Sequence, residues 1–299
     1  MRGVGRSSTP YNRETPKSPM LLAPLWYNVS KKGVLGMFGY GFKSSDKGVI
    51  YEFTDLRKPY FHRGNEVGCL VLHGFTGTPA NMRSVYAPLE KAGYTVHAPL
   101  LSGHGTTLAD MNEYRASDWL SDALAGYQKL REEGCTRIYV CGLSMGAILS
   151  GLVAERRDCA GVVLMSAPVR MQGYLNFAYS ISPLFPYIIL PHKELKDEER
   201  QGYQGIPARR LGDIRRLSAM LRKDMDKVTC PVFIIQPRKD NRVKLNSVDI
   251  LVRGLVHARS VKIQYFDNSP HGITYGPERA ENAHEVLNFV QSTEADRIA

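Results

Sequence analysis

Six short runs of continuously apolar residues constrain this chain more than any other feature of it. They are Val67–His73, Tyr94–Pro99, Arg137–Gly142, Gly161–Ser166, Pro231–Gln236 and Val261–Phe266. Val, Ile and Leu dominate them, and the apolar residues follow one another instead of alternating with polar ones. A strand with one wet face alternates; a strand buried on both faces does not. Between the runs lie stretches with helical spacing at 79–92, 117–133, 145–156, 244–256 and 280–292. Buried strands alternating with amphipathic helices predict an α/β fold: a mostly parallel central sheet with helices on both faces.

One interval breaks the rhythm. Roughly 60 residues separate Ser166 from Pro231, and a structureless loop of that length is rare in a compact domain. An inserted cap or lid over 169–227 is expected, with the core formed by 58–168 and 228–299. The first half of the insert carries Tyr174, Phe177, Tyr179, Leu184, Phe185, Tyr187, Ile188 and Ile189. These suit an apolar lid over a pocket, or a small core of the lid itself. The second half sets Leu211, Ile214, Leu217 and Leu221 at helical spacing, with arginines on other faces. Such a stripe packs inward or lies on a membrane surface. Residues 1–57 read as an N-terminal extension, partly disordered, since 1–19 are rich in Arg, Ser, Thr and Pro. The glycines at 33, 36, 39 and 41 match neither a dinucleotide fingerprint nor a phosphate-binding loop. That stretch packs on the core, covers the mouth of the site or touches a membrane.

Composition narrows the partners. A net charge of +10 raises nucleic acid or an anionic surface. The basic residues are scattered, however, except at the N-terminus and around 209–223, and neither cluster is interleaved with aromatics as a single-strand binding surface would be. Nucleic acid is not expected, and membrane-surface contact stays open. Five cysteines, an odd number, form no metal or redox pair, and Cys69 and Cys141 sit inside apolar runs, which fits a reducing compartment. No apolar run approaches the ~18 residues of a membrane span. A cytoplasmic protein is the expectation.

The chemistry centres on Gly142-Leu143-Ser144-Met145-Gly146. A buried run, Ile138-Tyr139-Val140-Cys141, precedes it, and a helix-like run from Ala147 follows. This is the strand–turn–helix setting of a nucleophile elbow. The turn is tight enough to strain the serine and to require glycine on either side of it. The bland alternative is that Ser144 merely caps the helix. A serine hydroxyl is a weak nucleophile and needs a base. In folds built on such an elbow, an acid and then a histidine follow the serine. His271 sits in a Ser-Pro-His-Gly loop just after the last apolar run, whereas His284 lies inside the final helix. His284-Glu285 fails the H-E-x-x-H zinc pattern, because residue 288 is Asn. Asp240 is the first carboxylate after the Pro231–Gln236 run, with Asp267 its rival. Two amides should hold the oxyanion: that of Met145, and that of Phe75 in the loop His73-Gly74-Phe75-Thr76-Gly77. His73 is expected to hold that loop. No cofactor is expected.

These segments together resemble the carboxylesterase and monoacylglycerol-lipase branch of the α/β-hydrolases. Further similarity lies in Ala98-Pro99-Leu100-Leu101-Ser102-Gly103-His104-Gly105, in Asp118-Trp119-Leu120 and in Lys58-Pro59-Tyr60-Phe61. The resemblance spans about residues 58–292. It implies an α/β-hydrolase fold with Ser144, Asp240 and His271 as triad. The implied reaction is hydrolysis of a short- to medium-chain ester or monoacylglycerol through an acyl-enzyme. The same triad also serves thioester, amide or lactone hydrolysis and acyl transfer, and the fold serves binding proteins without catalysis. The chain departs from many members at Lys239 and Pro270, where glycine precedes the acid and the histidine.

Overall fold

The computed structural model describes residues 58–173, 186–189, 203 and 205–298, together with the single positions 175, 180 and 184. The N-terminal extension (1–57) and Tyr174, Phe177, Tyr179 and Phe185 of the insert lie outside the described residues.

The six apolar runs all form strands: β2 (Val67–Leu72), β3 (Thr95–Ala98), β4 (Arg137–Leu143), β5 (Gly161–Met165), β8 (Val232–Pro237) and β9 (Val261–Phe266). A seventh, β1 (Tyr60–His62), runs antiparallel to β3. The sheet order is β1-β3-β2-β4-β5-β8-β9, and every pairing except β1 with β3 is parallel. A separate two-stranded antiparallel sheet pairs β6 (Tyr187–Ile189) with β7 (Gly205–Pro207). The helices are α1 (Arg83–Lys91), α2 (Leu108–Met111), α3 (Ala116–Glu132), α4 (Met145–Ala154), α5 (Leu211–Asp224), α6 (Ser247–Gly254) and α7 (Arg279–Ile298).

Continuously apolar strands are explained by burial on both faces. Leu70, Leu72, Ile138, Val140, Val162 and Leu164 point to one side, into a cluster with Leu130 of α3, Leu149 of α4 and Leu251 of α6. Their neighbours Cys69, Val71, Tyr139, Cys141 and Val163 point to the other, against Leu89 of α1 and Val286 of α7. Alternate residues of each strand therefore serve different layers, as the pleat requires.

One detail departs from the reading of the sequence. The strand β9 is not buried on both faces. It is the sheet edge, and its Ile263 is 40% exposed. Lysine and glutamine at 262 and 264 suit such an edge. The amphipathic stripe of the insert packs inward, one of the two placements its spacing allows. Ile214, Leu217 and Leu221 of α5 are buried in the same cluster as Ile148, Leu149 and Leu152 of α4. A Cβ added to Gly151 of α4 would meet Leu221, so the two helices cross in close contact. Helix α5 thus packs on the core through its apolar stripe. Among the described residues no helix is long and apolar enough to cross a membrane.

Parallel strands end together. Leu72 pairs with Gly142, Leu143 with Met165, Met165 lies beside Ile235, and Pro237 pairs with Phe266. The loops that begin at residues 73, 144, 166, 238 and 267 consequently gather along one edge of the sheet.

Candidate active site

Ser144 closes β4 and opens α4 with φ 56° and ψ −117°, a left-handed conformation that a side chain resists. Its amide donates to the Met165 carbonyl at 2.8 Å, and its own carbonyl accepts from the Ala147 amide at 2.9 Å. The glycine requirement is steric. A Cβ on Gly142 would collide with the Gly146 carbonyl, and one on Gly146 with the Leu72 carbonyl. Between residues 138 and 154, Ser144 alone is not buried. The elbow therefore presents one hydroxyl at the sheet edge, at the N-terminal end of a helix, where the dipole favours negative charge.

The other two predicted side chains reach it. His271 Nε2 lies 2.8 Å from Ser144 Oγ, and His271 Nδ1 lies 2.8 Å from Asp240 Oδ2. A carboxylate only accepts, so the proton sits on Nδ1, and Nε2 offers its lone pair to the serine hydroxyl. Asp240 is fully occupied. Its Oδ1 accepts from the amides of Arg242 at 2.8 Å and Val243 at 2.9 Å, and its Oδ2 accepts from Gln236 Nε2 at 3.1 Å. Burial pushes this carboxyl up, but the adjacent His271 and the donated hydrogen bonds outweigh burial and leave it below its ordinary value. A buried carboxylate held charged is what orients and stabilises an imidazolium.

The rivals fall elsewhere. Asp267 is 75% exposed at its side chain and pairs with Arg238 at 2.9 Å. His284 is exposed on α7. Ser144 is not a simple cap, since its side chain caps no amide of α4.

The two amides expected at the oxyanion lie in the loop after β2 and at the start of α4. A Cβ on Gly74 would lie 3.4 Å from the Ser144 Cβ, so the loop after β2 runs directly beside the elbow. Thr76 takes a positive φ of 64° there. Among the described residues, the amides of Phe75 and Met145 donate to no backbone or side-chain acceptor. His73 holds this loop, as expected. The Leu101 amide donates to its Nε2 at 3.1 Å, so Nδ1 carries the proton and donates to the Gly74 carbonyl at 2.9 Å. Burial lowers the His73 pKa to about 4 and keeps the ring neutral. The Phe75 ring stands edge-on to Trp119 and His104 at 5.6 and 6.3 Å between centroids.

The model of the alpha/beta hydrolase family matches residues 69–280. The chain belongs to the alpha/beta hydrolase family. It is 33% identical over 242 residues to a thermostable monoacylglycerol lipase of Bacillus sp. (strain H-257), covering 80% of this chain and 96% of that one. It is 29% identical over 241 residues to a carboxylesterase of Bacillus subtilis (strain 168), covering 78% of this chain and 96% of that one. Among solved structures it resembles one from a study of two metagenome-derived lipolytic enzymes, LipS and LipT. The TM-score is 0.73 at 28% identity, over 81% of this chain and all (100%) of that one. A monoacylglycerol lipase of Paleococcus ferrophilus shares the fold, with a TM-score of 0.64 at 16% identity over 79% of this chain and 98% of that one.

Two groups of this alpha/beta hydrolase were not foreseen in its sequence. Ser166, at φ 51°, donates its hydroxyl to the His271 carbonyl at 2.9 Å. Gln236 props Asp240. Serine just after one strand and glutamine within the next are ordinary residues in ordinary places. Only the parallel register beside the elbow gives them their partners.

Proposed function

We propose that this chain is a serine hydrolase of carboxylic esters, acting through an acyl-enzyme on Ser144. The observation that carries the reading is the continuous line Ser144 Oγ, His271 Nε2, His271 Nδ1, Asp240 Oδ2, with 2.8 Å at both hydrogen bonds. His271 takes the serine proton as Oγ attacks the ester carbonyl. The carbonyl oxygen becomes an oxyanion between the amides of Phe75 and Met145. Collapse breaks the bond to the alcohol, which leaves with the proton from His271. Water then gives its proton to His271, attacks the acyl-enzyme and releases the acid. Asp240 stays ionised throughout. The relatives named carboxylesterase and monoacylglycerol lipase support an ester as substrate, in the range from short-chain esters to monoacylglycerols. All five cysteines are unpaired and buried, which fits work in a reducing compartment such as the cytoplasm.

The test is steady-state hydrolysis of p-nitrophenyl esters of increasing acyl length by wild type and Ser144→Ala, with thioester and amide analogues alongside. Ester turnover by wild type that disappears in the variant is the expected result. The variant should keep at most ~10³–10⁴-fold acceleration over water, from oxyanion stabilisation and binding. Full turnover by Ser144→Ala would remove the assignment. Preference for the thioester or amide would move the substrate class and leave the triad in place.

A further inference from the structure

The segment Leu101–Thr106 runs behind the oxyanion loop and needs support. Gly103 and Gly105 both take positive φ, 73° and 70°, so the turn uses backbone freedom that only glycine has. Its front is held from α3. The Ser102 amide donates to Asp122 Oδ2 at 2.6 Å, and Trp119 Nε1 donates to the Ser102 carbonyl at 3.0 Å. Its back is held from the insert. Tyr203 donates its hydroxyl proton to the Gly103 carbonyl at 2.6 Å and accepts from the Thr106 amide at 2.9 Å.

That turn meets the catalytic edge through the ring of its own His104, which lies against His73 and Phe75, and by hydrogen bonds through the His73 ring. The Leu101 carbonyl accepts from the His104 amide at 3.0 Å, which closes the turn on itself. The Leu101 amide donates to His73 Nε2, and His73 Nδ1 donates to the Gly74 carbonyl. The Gly74 carbonyl belongs to the same peptide unit as the Phe75 amide. Tilting that unit turns the amide.

We infer that Tyr203 is a positioning residue for the oxyanion site: its hydroxyl fixes the Gly103–Thr106 turn and, through the His73 ring, the aim of the Phe75 amide. The inference rests on the reading of Ser144 as nucleophile and Phe75 as oxyanion donor. It makes the insert part of the catalytic apparatus instead of a cover alone.

A second tie supplies the control. Asn112 Nδ2 donates to the Pro186 carbonyl at 3.0 Å, which also tethers the insert to the core but contacts neither the turn nor His73. The experiment compares wild type, Tyr203→Phe and Asn112→Ala. Three readouts are taken: kcat and KM on a p-nitrophenyl ester, the rate of phosphonylation by a fluorophosphonate, and amide hydrogen exchange over residues 74–78. An oxyanion contact acts in the transition state, so its misalignment lowers kcat and leaves KM alone. Tyr203→Phe is expected to lose about tenfold in kcat with KM within about twofold. Phosphonylation should slow in parallel, and exchange at 74–78 should quicken. Asn112→Ala should leave all three unchanged. Unchanged kcat in Tyr203→Phe, a change in KM alone, or an equal loss in Asn112→Ala would overturn the inference, the last by making Tyr203 a tether only. If wild type cleaves no ester, the functional reading fails separately, and exchange decides. Quickening in Tyr203→Phe alone then sustains the positioning role, and equal exchange in all three ends it.

Discussion

The Ser166 hydroxyl donates to the His271 carbonyl at 2.9 Å, so the end of β5 holds the backbone of the residue proposed as base. The same Ser166 is itself pinned, with its amide donating to the Ile235 carbonyl at 2.9 Å. Removing the hydroxyl leaves the His271 carbonyl with only the Ile273 amide at 3.1 Å. The imidazole would then wander from Ser144 by tenths of an ångström. Ser166→Ala is expected to lower kcat about tenfold with little change in KM, and to destabilise the fold by about 1–3 kcal/mol. Kinetics and urea unfolding on the same preparation check both. An unchanged kcat would mean that the His271 loop is held without Ser166.

Asp240 offers a sharper test of the electrostatics. Asp240→Asn keeps the shape and removes the charge that His271 leans on. It also replaces one acceptor by a donor, which forces either the amide or the imidazole into the wrong orientation. Loss of about 10⁴-fold in kcat is expected, as for a triad with its acid neutralised. Folding should survive, because the Arg242 and Val243 amides can still bond to an amide oxygen. Asp267→Asn is the partner experiment. Its side chain is exposed and bonded to Arg238, so turnover should stay within about twofold of wild type.

Much of this site was legible before any coordinates. Strand ends, the two flanking glycines and the Ser, Asp, His order are local signals or fixed sequence order, and local signals survive folding. The choice between Asp240 and Asp267 could be argued only from chain order. The structure separates them by burial and by partner. Ser166, Gln236 and Tyr203 were not legible at all. Their hydrogen bonds link residues 105, 4 and 100 positions apart. The two long ones have no periodicity to announce them, and the short one depends on how the strand turns into its loop. The strand β1 was missed because three residues are too few to show an alternation. The edge position of β9 was missed because Val261–Phe266 was grouped with the continuously apolar runs, although Lys262 and Gln264 interrupt it.

Gly146 tests the close packing behind the elbow. A Cβ there would strike the carbonyls of Leu72 and His73, and backbone cannot step aside as a side chain can. Gly146→Ala should therefore push β2 and its loop away from α4. A destabilisation of about 1–3 kcal/mol is expected from overpacking, with loss of most turnover because the Phe75 amide moves with the loop. Gly173→Ala is the contrasting case, since among the described residues nothing lies near its Cβ, and it should be near neutral. Urea midpoints for the two variants decide the matter. Equal midpoints would show that the elbow yields more easily than its geometry implies.

The buried histidines make stability depend on pH, and the sign can be worked out. His73 has a pKa of about 4 in the folded protein, lowered by burial from an ordinary value near 6.5. His104, fully buried 4.8 Å from it between ring centroids, is lowered further by burial and by its neighbour. Between the folded and unfolded values, the unfolded chain binds protons that the folded chain refuses. The stabilising contribution of these neutral rings is therefore complete above about pH 6.5 and is lost as the pH falls toward 4. For His73 alone the span corresponds to about 3 kcal/mol. Glu155 slopes the opposite way. Burial pushes its carboxyl up to about 7 against the pull of Arg156, so its contribution weakens as the pH rises toward 7. The absolute pH profile mixes the two, and a difference isolates His73. His73→Gln cannot take up the proton, so its unfolding free energy should fall less steeply than that of wild type between pH 7 and 4.5. Parallel profiles for the two proteins would mean that His73 takes up its proton in the fold as readily as in the unfolded chain. The hydrogen bond from the Leu101 amide to Nε2 would then have to be given up, and with it the account of how the oxyanion loop is held.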